Sequence, residues 1–371
     1  MVINKAYRYK LEPTDEQRQL LAQAVGCCRF VYNHLLKLNI DQYAKDKTFI
    51  FTNEMVTMLP DLKKEFPWLN IPFSQSLQTA VRNLGAAFSN FFAGKTEFPE
   101  FHKKGVHDSF TCPQKFRVEE EKGFVFIPKI GEVKIRVHKK FRRKKHIQGK
   151  KKSITVSREC GQWYICVLSE REIEVKSQTR NRSVGIDVGL KEFATLSSGV
   201  VIENPRFYRQ YEEKLAKEQR KLSGMVKFSN NWFKQLKKVQ KVHRKIANCR
   251  EDFLHKESSR IVKNHDIIGL EDLCIKGMAK NHHLAKSIHD AGWGMFTTML
   301  DYKAFWHGKQ TVYVERFYPS SQLCSNCGGK KIMPLKLRSY VCEDCNTTID
   351  RDYNASINIE QRALELIKLS A

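Results

Sequence analysis

The stretch SVGIDVGLKEFATLSSGVVI, residues 183–202, reads as a strand, a tight turn, a second strand and a Ser-Gly turn. Side chains alternate between the two faces of a strand, so one face of the first strand is apolar. That face carries Val184, Ile186 and Val188. Asp187 lies on the other face between Gly185 and Gly189, whose small size is expected to leave room for a metal ion and a phosphate. The stretch therefore predicts a buried strand that presents one carboxylate.

Further acids stand at the ends of two other predicted elements. HDIIGLEDL, residues 265–273, reads as a buried strand that closes on Glu271, while the neighbouring Asp272 points to the opposite face and is expected to be structural. DRDYNASINIEQRALELI, residues 350–367, predicts a helix that opens with two acids, where the positive end of the helix dipole tolerates anions. These two acids are Asp350 and Asp352.

Acids from two strand ends and one helix start can converge on Mg²⁺, and a pair of such ions clamps both the attacking and the leaving oxygen of a phosphodiester. Each acid also has a simpler reading when it is considered alone. Asp187 could merely end a strand, Glu271 could pair with a lysine, and Asp350 could cap the helix. The pattern by itself leaves these alternatives open.

Four of the cysteines form two closely spaced pairs. Cys324 and Cys327 are followed, after fourteen residues, by Cys342 and Cys345. Two such pairs place four thiolates around Zn²⁺ and leave no open coordination position, which predicts a structural zinc ribbon. Redox cysteines or simple burial are the alternatives. The total of eleven cysteines is odd, and the others are single or adjacent, as expected in a reducing compartment rather than a disulfide framework.

Composition points to a polyanionic partner. The 371 residues include 65 Lys and Arg against 40 Asp and Glu, a formal net charge of +25. Such an excess opposes the compact state unless a polyanion balances it, so nucleic acid is the expected partner. The sequence shows no apolar stretch of bilayer length and no signal-peptide core, so we expect a soluble protein that is not exported. The length suggests two or three domains.

The pattern of apolar residues in the first half of the chain changes near residue 95. Residues 13–95 predict a helical bundle, with Thr14 and Gln17 as a capping box. Residues 109–172 contain short alternating segments, which predict a small antiparallel barrel. Within them a basic run in residues 136–152 is expected to grip a phosphate backbone. Its candidate nucleic-acid-binding residues are Lys139, Lys140, Arg142, Arg143, Lys144 and Lys145. Two basic helices with narrow apolar seams predict an antiparallel hairpin over residues 207–263.

These motifs together resemble the TnpB family of insertion-sequence proteins, which are relatives of type V CRISPR effectors. The matching stretches run almost from end to end and include YRYKLEPTDEQ, EFPEFHKKGVHDSFT, GIDVGLKEFATLSSG, LEDLCIKGMAKNHHLAKSIHDAGWGMF, YPSSQLCSNCG and DRDYNASINI. The resemblance implies an RNA-guided DNA endonuclease, acting in the prokaryotic cytoplasm in association with the nucleoid. It assigns the catalytic acids to Asp187, Glu271 and Asp352, with Asp350 as the alternative to the last of them.

The resemblance also implies an α+β multidomain architecture and its ligands. We expect a helical recognition bundle, a small antiparallel β-barrel or wedge, and an RNase H-like (RuvC) α/β nuclease domain with an inserted zinc ribbon. Mg²⁺, as two ions, is the expected catalytic cofactor and Zn²⁺ the structural one. The expected partners are a guide RNA from the transposon end and double-stranded target DNA with an adjacent motif. The expected boundaries are 1–12 with 96–180 for the wedge, 13–95 for the bundle, 181–319 with 348–371 for the nuclease, and 320–347 for the ribbon.

Two other functions share these features. A guide-directed repressor that has lost cutting would bind the same nucleic acids, although relatives of that kind typically lose one of the acids and all three are present here. A transposase that joins DNA ends could use the same acid triad. Only the family resemblance favours hydrolysis over strand transfer.

Overall fold

The protein forms two compact units, Met1–Ile173 and Glu174–Ala371. No helix in the described ranges combines the length and the apolar character that a membrane crossing requires. The computed structural model describes residues 1–106, 108–137, 146–174, 182–334 and 337–370.

The helices of the first unit begin as the sequence predicts. The side chain of Thr14 accepts a hydrogen bond from the backbone of Gln17, and the Gln17 side chain reaches back to the Thr14 backbone, which confirms the capping box. Gly85 lets two of the helices approach closely, because a Cβ there would lie 2.0 Å from Oγ1 of Thr52. The helices are α1 (Asp15–Asp46), α2 (Thr52–Thr57), α3 (Leu59–Glu65) and α4 (Ser74–Phe92).

The first unit also contains a seven-stranded antiparallel sheet with the order β2-β6-β7-β1-β5-β4-β3. Its strands are β1 (Val2–Glu12), β2 (Ser109–Cys112), β3 (Arg117–Glu119), β4 (Phe124–Ile127), β5 (Gly131–Arg136), β6 (Lys150–Glu159) and β7 (Gln162–Glu172). The prediction of a closed barrel is wrong for the part of the chain that the structure describes, since β2 and β3 are edges that do not pair with each other. Helices α1 and α4 pack against β2 instead, and the helices and the sheet share one apolar core.

The second unit is built on a mixed five-stranded sheet with the order β10-β9-β8-β11-β12. Strands β8, β9 and β10 form an antiparallel meander, whereas β11 lies parallel to both β8 and β12. The strands are β8 (Ser183–Val188), β9 (Glu192–Leu196), β10 (Val201–Glu203), β11 (Ile267–Glu271) and β12 (Gln310–Val314). The predicted strand–turn–strand of residues 183–202 is confirmed.

Helices cover both faces of this sheet. α6 and α9 pack on the face that carries Val184 and Ile186, and α10 packs on the other. The predicted antiparallel hairpin of two basic helices is confirmed, since Leu215 of α5 packs against Val239, Val242 and Ile246 of α6. The helices are α5 (Phe207–Ser223), α6 (Asn230–Asn264), α7 (Ile275–Met278), α8 (His282–Ala291), α9 (Trp293–Trp306) and α10 (Arg351–Ser370).

Candidate active site and cysteine cluster

Two of the predicted acids lie side by side at one end of the sheet. Strands β8 and β11 are parallel and in register, with Ile186 beside Leu270. One residue further along each strand, Asp187 and Glu271 therefore stand next to each other at the carboxyl ends of the strands. Both side chains are partly exposed. Carboxyl ends of neighbouring parallel strands are where open α/β sheets bind ligands.

Helix α10 runs antiparallel to β8 and carries the third acid to the same end. Ser183 hydrogen-bonds Glu360, and Gly185 lies against Ser356 about one turn earlier in the helix. Asp187 lies two residues beyond Gly185 on β8, and Asp352 lies about one turn before Ser356 on α10. These two steps are of similar length, so Asp187 and Asp352 lie at the same level. The structure thus brings Asp187, Glu271 and Asp352 towards one region.

The space beside Gly185 is filled by α10, so the expectation that this glycine leaves room for a metal ion and a phosphate is wrong. A Cβ at Gly185 would lie 2.0 Å from the carbonyl oxygen of Ser356 and 2.5 Å from the amide nitrogen of Glu360. Gly269 on β11 is similar, because a Cβ there would lie 2.9 Å from Cβ of Ala363. Both glycines allow α10 to approach the sheet closely enough to deliver its first turn to the strand ends.

The electrostatics of Asp187 reflect the neighbouring acids. Burial, followed by the negative charges of Glu271 and Asp352, raises the pKa of Asp187 well above its ordinary range. Burial also raises the pKa of Glu271, against the effect of a hydrogen bond from Ser320. Repulsion among carboxylates of this kind is relieved by a cation, and an all-oxygen donor set suits Mg²⁺. Among the described residues, the four paired cysteines are the only group of three or more potential metal ligands whose donor atoms lie close enough together to hold an ion, so the three acids are spaced more widely than that.

The two candidates for the last acid have different surroundings. Oδ1 of Asp350 accepts hydrogen bonds from the backbone amides of Asp352 and Tyr353, both at 3.0 Å, and so caps α10. The Asp352 carboxylate pairs instead with Arg338 and Arg351, each at 3.2 Å. Asp350 is therefore committed to the helix end, which favours Asp352 as the third metal ligand.

Ser320 is a site residue that the sequence reasoning missed. Its hydroxyl donates a 2.7 Å hydrogen bond to Oε1 of Glu271, and the residue is only 5% exposed. Its carbonyl oxygen accepts a 2.7 Å hydrogen bond from the side chain of Asn358 on α10. One turn earlier, Asn354 donates to the carbonyl oxygen of Leu323 at 2.6 Å. Two asparagines one turn apart near the start of α10, both buried in the structure, were the available signal for this connection.

Asp272 and the basic run complete the predicted site residues. Asp272 forms a 2.7 Å ion pair with Arg316. The six basic candidates at positions 139, 140 and 142–145 lie outside the described residues.

The four paired cysteines come together as predicted. Their Sγ atoms all lie within 4.8 Å of one another, with 3.6 Å between Cys324 and Cys345 and 3.5 Å between Cys327 and Cys342. The second pair flanks a hairpin of two short strands, β13 (Ser339–Val341) and β14 (Thr348–Asp350). Four soft donors with no fifth ligand fit a closed tetrahedral Zn²⁺ site. β14 leads directly into α10, so the cluster adjoins the first turn that carries Asp352.

The chain is similar to several known proteins and family models. Three family models match, described as "Probable transposase" over residues 164–282, "Cas12f1-like, TNB domain" over 293–359 and "Helix-turn-helix domain" over 1–48. The last range holds a strand and one long helix in this structure. A protein of Escherichia coli (strain K12) named "Putative RNA-guided DNA endonuclease InsQ" is 35% identical, over 96% of this chain and 91% of its own length.

A second relative and a solved structure agree with the first. A protein of Streptomyces pristinaespiralis named "Putative RNA-guided DNA endonuclease" is 34% identical over 96% of this chain and 89% of its own length. Among solved structures, a chain from the "Cas12f1-sgRNA-target DNA complex" superposes with a TM-score of 0.64. That superposition covers 97% of this chain and 99% of the other at 12% sequence identity, so it shows a shared fold.

Proposed function

The chain belongs to the TnpB family, and we propose that it is an RNA-guided DNA endonuclease of a transposable element. Relatives that align along almost the whole chain carry the name of that activity. The observation that carries the proposal is that Asp187 and Glu271 stand side by side at the carboxyl ends of β8 and β11, where burial and then the negative charges of Glu271 and Asp352 raise the pKa of Asp187. The mixed five-stranded sheet that bears them supports an RNase H-like (RuvC) domain.

The three acids are proposed to hold Mg²⁺ as two ions. Held by Asp187, Glu271 and Asp352, Mg²⁺ would supply the positive charge that polarises a phosphodiester for hydrolysis. The chain's own contribution is to fix the ligands. Ser320 orients the Glu271 carboxylate, and Arg338 and Arg351 hold the Asp352 carboxylate. Rigid placement of this kind supports catalysis because a displacement of about 1 Å can lower the rate about a hundredfold.

The cysteine cluster is proposed to bind a structural Zn²⁺. On one side of the cluster, the chain segment from Ser320 to Leu323 is hydrogen-bonded to α10, and Ser320 also bonds Glu271. On the other side, β14 leads directly into the first turn of α10, which carries Asp352. The zinc would therefore stabilise the connections that deliver two of the three catalytic acids. This explains why thiolates, which suit a soft metal, adjoin carboxylates, which suit a hard one.

The partners are proposed to be a guide RNA from the transposon end and double-stranded target DNA with an adjacent motif. Base pairing would read the target sequence, while the basic surface of α5 and α6 would contact the backbone of the guide–target duplex. The basic run at 139–145 is proposed to bind RNA. We keep the division into wedge (1–12, 96–180), bundle (13–95), nuclease (181–319, 348–371) and zinc ribbon (320–347) as a proposal. The sheet that joins β1 to β2–β7 supports the split wedge.

Transposition is the second candidate, because the description of the family model over residues 164–282 names that activity. One assay separates the alternatives. The protein, purified with its associated RNA, is incubated with Mg²⁺ and duplex DNA that matches this RNA. Cleaved ends indicate the nuclease, retained intact DNA a guided repressor, and joined products a transposase.

Asp187→Ala is expected to abolish cleavage while guided binding persists, because it removes a metal ligand from the end of a strand. Asp272→Ala is the matched control, since this acid adjoins Glu271 in the chain but pairs with Arg316. The control is expected to cut normally. Cleavage by the Asp187→Ala protein would refute the assignment of the acids.

A further inference from the structure

A cavity of about 660 Å³ lies in the second unit between the loop after β8, the start of α5 and helix α8. The mechanism proposed above does not use it. Its volume is in the range of sites that bind small molecules or one segment of a polymer. The cations on its wall are Lys191, Arg206, Arg209 and Lys286, and the acids are Glu212 and Asp290.

The acids of the cavity are already neutralised by partners. Glu212 pairs with Lys286. Asp290 forms a 2.9 Å ion pair with Arg250 and also accepts a 2.9 Å hydrogen bond from the backbone amide of Tyr208. The remaining charge on the wall is therefore positive.

Two guanidinium groups face this cavity without an acidic partner. In the part of the chain that the structure describes, neither Arg206 nor Arg209 forms an ion pair, although Arg206 donates a 3.3 Å hydrogen bond to the carbonyl oxygen of Lys191. Arg206 also adopts left-handed backbone angles, φ 47° and ψ 52°, which are unfavourable for a side chain with a Cβ. Strained residues of this kind concentrate at binding sites. The planar fork of Arg matches the geometry of a phosphate group.

The cavity is close to the candidate active site along the chain. Leu190 on its wall follows Asp187 by three residues, so their Cα atoms are at most about 10 Å apart. This corresponds to the axial rise of about three nucleotides of one DNA strand. The loop is held in place because Asn204 donates a 3.0 Å hydrogen bond to the carbonyl oxygen of Leu190.

We propose that this cavity binds backbone phosphates of the DNA strand that is being cut and orients that strand across Asp187. The role rests on the proposed nuclease function. The shared ligand chemistry is a phosphate ester, which a free nucleotide also carries. A polymer strand is favoured because Nζ of Lys286 covers one face of the Tyr208 ring, 4.6 Å from its centroid, so that face does not offer a stacking surface for the base of a free nucleotide.

The test uses the RNA-bound protein carrying Asp187→Ala and a fluorescein-labelled 20-nucleotide oligothymidine. Binding is followed by fluorescence anisotropy over a range of salt concentrations. Adding Arg206→Ala and Arg209→Ala is expected to weaken binding and to reduce the slope of log K against log salt by about 1.4, the value for two lost phosphate contacts on a single strand. Arg209→Ala alone, on the exposed surface of α5, is expected to reduce it by about 0.7.

Arg316→Ala with Lys331→Ala is the control, because both cations lie outside the cavity and outside α5 and α6, and each pairs with an acid, Asp272 and Glu343 respectively. This control is expected to leave the slope unchanged. An unchanged slope in the cavity variants would overturn the proposal. Displacement of the oligonucleotide by thymidine monophosphate would also overturn it, since the cavity would then be a mononucleotide site.

A parallel measurement with Asp187 intact separates this proposal from the nuclease assignment. If the slope falls but matched DNA is not cut, the nuclease assignment fails while the phosphate site remains. If DNA is cut normally and the cavity variants bind like the control, the cavity proposal alone fails.

Discussion

Replacing Gly185 by alanine tests how α10 is held against the sheet. The added Cβ would lie 2.0 Å from the carbonyl oxygen of Ser356, whereas ordinary contacts begin at 3.4 Å. The helix backbone must therefore retreat by about 1.4 Å, because no flexible side chain is there to move instead. Overpacking of a core costs about 1–3 kcal/mol, and the close approach to backbone atoms of both Ser356 and Glu360 places this case in the upper part of that range.

The same displacement should reduce activity, since α10 carries Asp352. A shift of about 1 Å in a catalytic group can lower the rate about a hundredfold, so we expect a loss of about that size in DNA cleavage. For a unit of this length, a loss of about 2–3 kcal/mol lowers Tm by roughly 4–12 °C. Calorimetry measures Tm, and the unfolding transition that shifts when zinc is removed is assigned to this unit. Cleavage rates measured on gels report the activity.

Two other glycines calibrate the result. Gly269→Ala, with its Cβ 2.9 Å from Cβ of Ala363, is expected to have a smaller effect of the same kind. Gly224→Ala would make only an ordinary contact at 3.8 Å from the carbonyl oxygen of Arg220, so it should change neither Tm nor cleavage appreciably. A Gly185→Ala protein with the Tm and the cleavage rate of the Gly224→Ala control would refute this account of how α10 is positioned.

Other predictions concern the remaining supports of the second unit. Ser320→Ala is expected to raise the Mg²⁺ concentration for half-maximal cleavage about 10–100-fold, with Ser320→Thr largely normal; equal titration curves would contradict the role of its hydroxyl. Cys342→Ser should lower the zinc content measured by elemental analysis and also Tm, and unchanged zinc would exclude the cluster as the binding site. Burial lowers the pKa of Lys303 to about 8, below its ordinary value of 10.5. The unfolded chain then binds more protons between these values, so the free energy of unfolding should rise from about pH 8 to 10.5. Lys303→Met should lack this increment in urea titrations, and an identical rise would contradict it.

Local patterns in the sequence predicted the elements that carry the acids and the cysteines. Alternation around Asp187, an apolar run before Glu271 and a helix opening at Asp350 each depend on contacts between near neighbours in the chain. The same is true of the capping box at Thr14 and the apolar seams of α5 and α6. The spacing of the cysteine pairs predicted their cluster, because short turns bring each pair together.

Three features depended on contacts between segments far apart in the chain. Ser320 reaches Glu271 across 49 positions, which local periodicity cannot show. Gly185 suggested space for a ligand, but α10 occupies that space. The seven-stranded sheet stays open because helices cover β2, and an alternating pattern does not specify which edges pair.

By itself, the sequence predicted the strands and helices that carry the proposed acids, the order of those acids in the chain, and the four cysteines that cluster. The tertiary structure favours Asp352 over Asp350 as the proposed third ligand, since both fit a helix start and only Asp350 caps it. The tertiary structure also decided that α10 lies against Gly185 and that the cavity lined by Leu190 and the start of α5 has a positive wall. The physical reason is that strand and helix patterns arise from neighbouring residues. The partners of a side chain, and the space left beside it, depend instead on which distant segment packs there.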